Sequence, residues 1–522
     1  MRRAIAGAQR RRQRVGVAAG TRAGARGLAV RRCCVIVLAL IAAIAGATGA
    51  IGGTAAFAQS PDRSHAPEIG PPPALKLPQV QKARLSNGLP VWIVELHEVP
   101  VAQVNLVVLS GSADDPVGKY GVASLATAML TEGAGTRSAL ELADAIDFLG
   151  ATLTTGISSD ASSVRLHTPV ARLSEALALM ADVALRPTFP PDELDRQRQQ
   201  RLTNLLQAKD DPATIAALAF ARVLYGRTHR FGTATMGTAE TLAAFTPEDL
   251  RAFYRTTFRP DNATLIVAGD VAPATLLPEL EKSFGGWAAP ANPGSSDVRL
   301  PTPPQRTRRE VYLVDKPNAP QSQIRIGTVG VPRSTPDYFP LLVLNTILGG
   351  SFSSRLNLNL REQHGYTYGA SSSFDMRQEA GPFTAGAGVQ TDKTKESLQE
   401  FFKELNGILQ PIPPEELARA KNYVSLRFPG SFETTGDISR RLEEALVYGL
   451  PDDYFSNYVQ NIAAVTASDV QRVAKRYVQP DRAAIVVVGD RKTIEPAIRS
   501  LNLGPINIVA VDDVFGPQAG GR

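Results

Sequence analysis

One segment of this chain occurs twice, and the distance between the copies limits the fold more than any other feature. The first copy runs Thr246-Pro-Glu-Asp249-Leu-Arg-Ala-Phe-Tyr254 and then Arg259-Pro260-Asp261-Asn-Ala263-Thr-Leu-Ile-Val-Ala-Gly269-Asp270. The second runs Thr466-Ala-Ser-Asp469-Val-Gln-Arg-Val-Ala474 and then Gln479-Pro480-Asp481-Arg-Ala483-Ala-Ile-Val-Val-Val-Gly489-Asp490. Thr, Asp, Pro, Asp, Ala, Gly and Asp recur at a constant spacing of 220 residues, without a gap. Each copy reads as a helix, a Pro-Asp turn and a buried strand ending at Gly-Asp. A chance likeness of two helix-turn-strand units would not hold so many identities in register. The 522 residues are too many for one core, and they divide into two related halves of about two hundred residues, an ordinary domain size.

Between the halves, Gly285 to Gln305 is rich in Gly, Pro and Ser and reads as a linker. Residues 80–284 and 306–505 are then the two domains, and 506–522 reads as a tail. Within the first domain, Gln103 to Leu109 is β-rich, and Gly121 to Leu130 and Leu140 to Phe148 each have a helical apolar face. Strands are expected at Thr152–Ile157 and Ser162–Thr168. A helix is expected from Ala171 to Leu185, with Leu173, Leu177 and Met180 at three-to-four spacing. The halves are mixed α and β.

The net charge of +6 misleads about partners. Ten arginines and no acid fall in the first 58 residues, which leaves 46 basic against 50 acidic residues in the rest. Bulk charge therefore gives no case for nucleic acid. The basic start, the apolar run Cys33 to Ala47 and the ending Ala56-Phe57-Ala58 make residues 1–58 an export signal, cut after Ala58, before a Pro-rich arm over 59–79. An uncleaved anchor is the rival reading, since the apolar and small residues to Ile51 approach a membrane span. Either way the body lies outside the cytoplasm, and the periplasm is the expected compartment. Both cysteines, Cys33 and Cys34, lie in the signal, so the mature chain has no disulfide, thiolate nucleophile or cysteine metal ligand.

Five histidines remain to be considered, His65, His97, His167, His229 and His364, and no two share a helical turn. A zinc site on paired helical histidines is therefore absent, and only a site assembled from residues distant in sequence remains open. No G-x-S-x-G elbow and no GxxxxGK[ST] loop occurs either.

An ordered series of motifs carries a family resemblance. In the first half it is Leu85-Ser-Asn-Gly-Leu89, Gly118-Lys-Tyr-Gly-Val-Ala-Ser-Leu-Ala-Thr-Ala-Met-Leu-Thr-Glu-Gly133 and Arg186-Pro-Thr-Phe189. In the second it is Leu344-Asn-Thr-Ile-Leu-Gly-Gly350, Ser354-Arg-Leu356 and Leu360-Arg-Glu-Gln-His-Gly-Tyr-Thr-Tyr368. From about Val80 to Leu501 the chain resembles the insulinase/pitrilysin class of zinc peptidases, in its mitochondrial-processing-peptidase-like branch. The resemblance implies an α+β fold of two homologous domains, each a mainly antiparallel sheet covered by helices on one side.

Where this chain departs from the family, the implied function changes. Active members carry H-x-x-E-H on the first-domain helix, two His holding zinc and the Glu activating water. Here those positions are Ser124, Thr127 and Ala128, and the family's downstream glutamates fall on Gln197 and Asn204. A hydroxyl, a methyl and neutral amides cannot replace two imidazoles and a carboxylate around a divalent cation, and Thr127 cannot act as a base near neutral pH. No cofactor is expected in this chain. Leu125 and Met129 are expected to pack inward as ordinary helix residues.

Zinc-free members of the family often pair with a catalytic subunit and supply an Arg and a Tyr seven residues apart. Arg361 and Tyr368 have that spacing and context, and a guanidinium and a phenol can donate hydrogen bonds to a carbonyl becoming an oxyanion. The plain alternative is a surface Arg at a helix end and a core Tyr. Tyr366 is offset from the family position, and His364 is expected to be structural.

The resemblance thus implies a zinc-free subunit of an exported heterodimeric metalloendopeptidase. It would close a chamber over a peptide or unfolded segment, with zinc held by a homologous H-x-x-E-H partner. A membrane contact follows only if the signal stays uncleaved. The alternative is an inactive peptide-binding or scaffold protein of the cell envelope.

Overall fold

The computed structural model describes residues 77–289, 300–304 and 306–516. The expected export signal with its cleavage at Ala58, the arm up to residue 76, most of the linker and residues 517–522 lie outside the described residues.

Each half builds a six-stranded sheet. The first contains β1 (Gln81–Arg84), β2 (Pro90–Glu95) and β3 (Val101–Val108), and, after a two-residue ribbon of β4 (Gly133–Ala134) and β5 (Arg137–Ser138), β6 (Thr152–Ile157), β7 (Ser162–Pro169) and β8 (Ala263–Gly269). Its order is β1-β2-β8-β3-β7-β6. The second contains β9 (Glu310–Asp315), β10 (Gln321–Val329), β11 (Thr367–Phe374), β12 (Pro382–Gln390), β13 (Ala484–Gly489) and β14 (Ile506–Val509), in the order β11-β12-β10-β13-β9-β14. Pairing is antiparallel except for β2 with β8, its counterpart β9 with β13, and β14 with β9.

The duplication holds at the level of register. Leu265 is flanked by Val91 and Leu106, and 220 residues later Ile485 is flanked by Val311 and Ile326. Both repeated helices start with the same cap, Thr246 Oγ1 accepting from Asp249 N at 3.3 Å and Thr466 Oγ1 from Asp469 N at 3.1 Å. Such a cap contributes about 1 kcal/mol and fixes where the helix begins.

The strands β8 and β13 are buried along their whole length. Their fully buried runs, apolar apart from Thr264, require cover on both faces; each half's own helices cover one face, as expected. The second cover is exchanged between the halves. The first-half helix Pro212–Tyr225 packs on β10 and β13, and the second-half helix Thr435–Val447 packs on β3 and β8. Ile438 and Leu442 of the latter are buried with Val94, Val107, Ile266 and Ala268 of the first sheet. Each such side chain withdrawn from water contributes roughly 1.5–3 kcal/mol. Neither sheet is complete without the other half.

Residues 506–515, read from sequence as part of a tail, are structured. Ile506–Val509 extends the second sheet along β9, and the helix Val511–Phe515 returns to the first half, burying Val514 and Phe515 in its core. Lys209 holds the same segment through Asp512 at 2.6 Å. Among the described residues no helix is long and apolar enough to cross a membrane.

Candidate functional site

The first-half helix forms as the sequence predicts, over Val122–Met129. It begins at Gly121, whose φ of +105° favours glycine and whose missing Cβ would lie 2.4 Å from the Met236 carbonyl oxygen. Two N–H groups at this start, those of Gly121 and Ala123, donate to the Asp115 carboxylate at 2.6 and 2.8 Å. A buried Arg230 closes the arrangement, its Nε 2.7 Å from Asp115. The helix is thus anchored from below by a charge pair that also answers its N-terminal dipole.

Leu125 and Met129 are fully buried. Thr127 is 1% exposed, and its Oγ1 reaches only Ser162 Oγ, at 3.4 Å. Ser124 and Ala128, one turn apart, are half-buried. Opposite them runs the helix Pro191–Ala208, and from it Arg201 donates twice to Ser124: Nη1 to Oγ at 3.0 Å and Nη2 to the carbonyl oxygen at 3.1 Å. Burial pulls the Arg201 guanidinium below its ordinary pKa. Gln197 donates to Glu132 Oε1 at 2.5 Å, and exposed Asn204 accepts from Gln200 at 2.9 Å. The five positions of the degenerate motif are therefore brought to two facing helices, and their polar groups bond to protein.

These residues do not fit a zinc ion. Ser124, Ala128, Gln197 and Asn204 offer no imidazole and no carboxylate, and a cationic side chain is bonded to the first of them. Among the described residues no cluster of three or more His, Cys, Asp or Glu could hold a metal. The sequence reading missed Arg201, although its place four residues after Gln197 and three before Asn204 puts all three on one helix face.

The second half presents Arg361 and Tyr368 differently. Arg361 lies in a widened, π-type turn, Leu358–Gln363, where the His364 N–H reaches back five residues to the Asn359 carbonyl at 3.1 Å. Its guanidinium carbon sits 4.7 Å from the centre of the Phe352 ring, with Nε 3.3 Å from Glu362. Tyr368 is on the edge strand β11, at the point where the pairing with β12 slips between Thr367 and Ala370. This bulge turns Tyr368 outward. The residue is 88% exposed, so the alternative of a core tyrosine does not hold. Phe352, at 60%, shares the exposed surface with Arg361. His364 stacks on Tyr366 with ring centres 4.9 Å apart, and its Nε2 is 3.9 Å from Glu400.

Comparison with known proteins agrees with this architecture. Residues 91–236 match the family described as Insulinase (Peptidase family M16), and 244–424 match Peptidase M16 inactive domain. An uncharacterized zinc protease of Bacillus subtilis is 24% identical over 78% of this chain and 98% of its own length. One from Mycobacterium tuberculosis is 26% identical over 81% and 96%. Among solved structures, a peptidase M16 inactive domain from Pseudomonas fluorescens superposes with a TM-score of 0.72 at 26% identity, covering 78% of this chain and 98% of that one. A protease from Helicobacter pylori gives 0.71 at 22%, covering 79% and 100%, a likeness of fold. Two family matches in chain order, full-length relatives and a duplicated sheet architecture agree: the chain belongs to the insulinase family of peptidases, family M16.

Proposed function

We propose that this chain is the zinc-free subunit of an exported heterodimeric M16 metalloendopeptidase. It closes the chamber over an extended peptide and supplies Arg361 and Tyr368 to a zinc site carried by a homologous H-x-x-E-H partner. The single observation that carries the reading is the contrast in how the two sets of residues are held. Of the ligand positions of the first half, Ser124, Gln197 and Asn204 are bonded to protein and Ala128 has nothing to bond with, while Arg361 and Tyr368 project at a widened turn and a strand bulge. Local departures of this kind recur at functional sites. An Arg over an exposed aromatic ring, and an exposed Tyr seven residues on, are residue types enriched in recognition surfaces.

In this reading the guanidinium and the phenol hydrogen-bond the substrate carbonyl as negative charge develops on its oxygen. The peptide binds by adding a strand to a sheet edge of the partner, a mode that reads backbone more than side chains. A signal cut after Ala58 delivers the chain to the periplasm.

The test is purification of the tagged chain from the exported fraction of its own cells. A stoichiometric partner with H-x-x-E-H, bound zinc and chelator-sensitive peptide cleavage are expected. Elution alone or as a self-assembly, metal-free and inactive, would overturn the reading. It would leave the second one, a peptide-binding or scaffold protein, which the protein-bonded motif positions of the first half also suit.

A further inference from the structure

The helix Pro191–Ala208 carries three arginines within two turns, and they are not equivalent. Arg196 pairs with Glu132 and Glu193, and Arg198 with Asp195. Arg201 has no carboxylate partner among the described residues; its two bonds go to Ser124, a hydroxyl and a carbonyl. A half-buried guanidinium in this position has lost part of its hydration without receiving a counter-charge, and three of its five N–H donors are not directed at Ser124. The Ser124 hydroxyl accepts from Arg201, so its own hydrogen is free to donate to a second acceptor. Gln197 and Gln200 on the same helix are neutral. Glu132, at the end of the first-half motif, is already paired with Arg196 and held by Gln197.

The surroundings indicate which anion. The helix bearing Ser124 packs against β6, the unpaired edge of the first sheet. A cleft of about 560 Å³ opens along that edge, lined by Thr131, Glu132, Leu142, Asp147 and Thr152–Thr155. Arg201 and Ser124 are not among its lining residues; they are joined to it through Glu132, which Gln197 of the Arg201 helix holds, and through the packing of the Ser124 helix on β6. We infer that the degenerate metal position is a carboxylate-binding site, built on Arg201 and Ser124, that takes the carboxylate of a bound peptide. The carboxylate is that of the C-terminus or of an acidic side chain. A fixed guanidinium suits it because the planar fork matches a carboxylate with two parallel hydrogen bonds. The family's cation-centred site would persist in a changed form, with a cation that belongs to the chain. This inference rests on the second reading above, of the chain itself as a peptide-binding protein.

Calorimetric titration of the whole mature chain with three versions of one neutral, extended peptide separates the possibilities. One version has a free C-terminal carboxylate, one is amidated, and one is amidated with a single internal Glu. At least one carboxylate-bearing version is expected to bind about ten-fold more tightly than the neutral amide, the gain of a charge-assisted bond. Which one gains assigns the source. In Arg201→Gln the gain is expected to vanish while the neutral amide binds as before. Arg201→Lys should recover part of it, and Ser124→Ala, which keeps the charge, should lose only a few-fold; both keep the test open if the Gln variant does not fold. Equal binding of all three peptides to the wild type, or a gain that survives in Arg201→Gln, overturns the site alone. Failure of all three to bind overturns that second reading, of the chain by itself as a peptide binder, together with the site.

Discussion

The two halves share a sheet order and a repeat in register, yet they treat the same kind of residue in opposite ways. In the first, the helix Val122–Met129 is anchored at its start by a fully buried Asp115–Arg230 pair and covered at Ser124 by Arg201. In the second, the equivalent helix Tyr338–Leu348 starts beside Asp337. That carboxylate is held by the half-exposed Arg472 at 2.8 Å and the Tyr477 hydroxyl at 2.6 Å. The turn and strand that follow leave Arg361 and Tyr368 projecting. The first-half positions that match the family's zinc motif are therefore packed or bonded into protein, while Arg361 keeps only the Glu362 carboxylate and the Phe352 ring beside it, and Tyr368 stays exposed.

The sharpest way to break this comparison is to rebuild the first half as a metal site. Ser124→His, Thr127→Glu, Ala128→His and Asn204→Glu together restore the family's ligand types. With Arg201 present the quadruple variant is expected to retain no zinc after dialysis. Two unit charges of like sign 4 Å apart repel by about 4 kcal/mol at an effective dielectric of 20, and zinc is doubly charged. Adding Arg201→Ala is expected to bring the metal content to one zinc per chain, measured by elemental analysis. Zinc bound equally with and without Arg201 would show that the guanidinium does not contest the position.

Next come the two helix anchors. Arg230→Ala leaves Asp115 as a buried, uncompensated carboxylate and is expected to cost about 3–5 kcal/mol in chemical denaturation. The matching change in the second half, Arg472→Ala, removes a half-exposed partner from an aspartate that keeps Tyr477, and should cost at most about 1 kcal/mol. Equal losses would mean that burial of the first anchor carries no special weight.

Arg361→Ala and Tyr368→Phe should show the reverse pattern. Both side chains are exposed, so the unfolding midpoint should not move, while peptide hydrolysis by the complex with its partner falls about 100- to 1000-fold, the cost of one oxyanion donor. Unchanged turnover in both variants would remove their role. Tyr366→Phe, which keeps its ring stacked on His364, should leave turnover unaltered.

What the sequence made legible follows the range of the interactions involved. The repeated Thr-cap, Pro-Asp turn and apolar strand depend on neighbours a few residues away, and they stand where the pattern put them. The elements Thr152–Ile157 and Leu173–Leu185 are likewise set by local period. The exchange of helices between sheets was not legible, because the apolar face of Pro212–Tyr225 or Thr435–Val447 shows that a helix is buried and not which sheet it covers. Ile506–Val509 was missed for a related reason: four residues become a strand only when β9 lies alongside. Arg201 was missed because the family positions direct attention to Gln197 and Asn204, and a cation facing Ser124 is meaningful only once the two helices are seen together.

The smallest predicted effect concerns the place where the halves meet. His229 is buried beside Tyr225 and Phe231, and its Nδ1 accepts from the Phe231 N–H at 3.0 Å. Arg377 of the second half lies over the Phe231 ring, at 4.3 Å from its centre, and Tyr225 donates across to the Ala380 carbonyl. Burial holds the imidazole below its ordinary value of 6.5, helped by the nearby Arg377 and partly opposed by a hydrogen bond to the Pro301 backbone, so His229 resists protonation more in the folded chain than in the unfolded one. As pH falls below about 6.5, the unfolded chain takes up a proton at this residue that the folded chain resists, and stability declines. Exposed His97 acts in the opposite sense, raised by its hydrogen bond to Asp270, so the net slope alone cannot assign the effect. The comparison of wild type with His229→Gln does: between about pH 7 and pH 5 the wild-type midpoint should fall further than that of the variant. Parallel profiles would mean that the joint between the halves tolerates a second positive charge beside Arg377, and that its packing is looser than that of the helix anchors on either side.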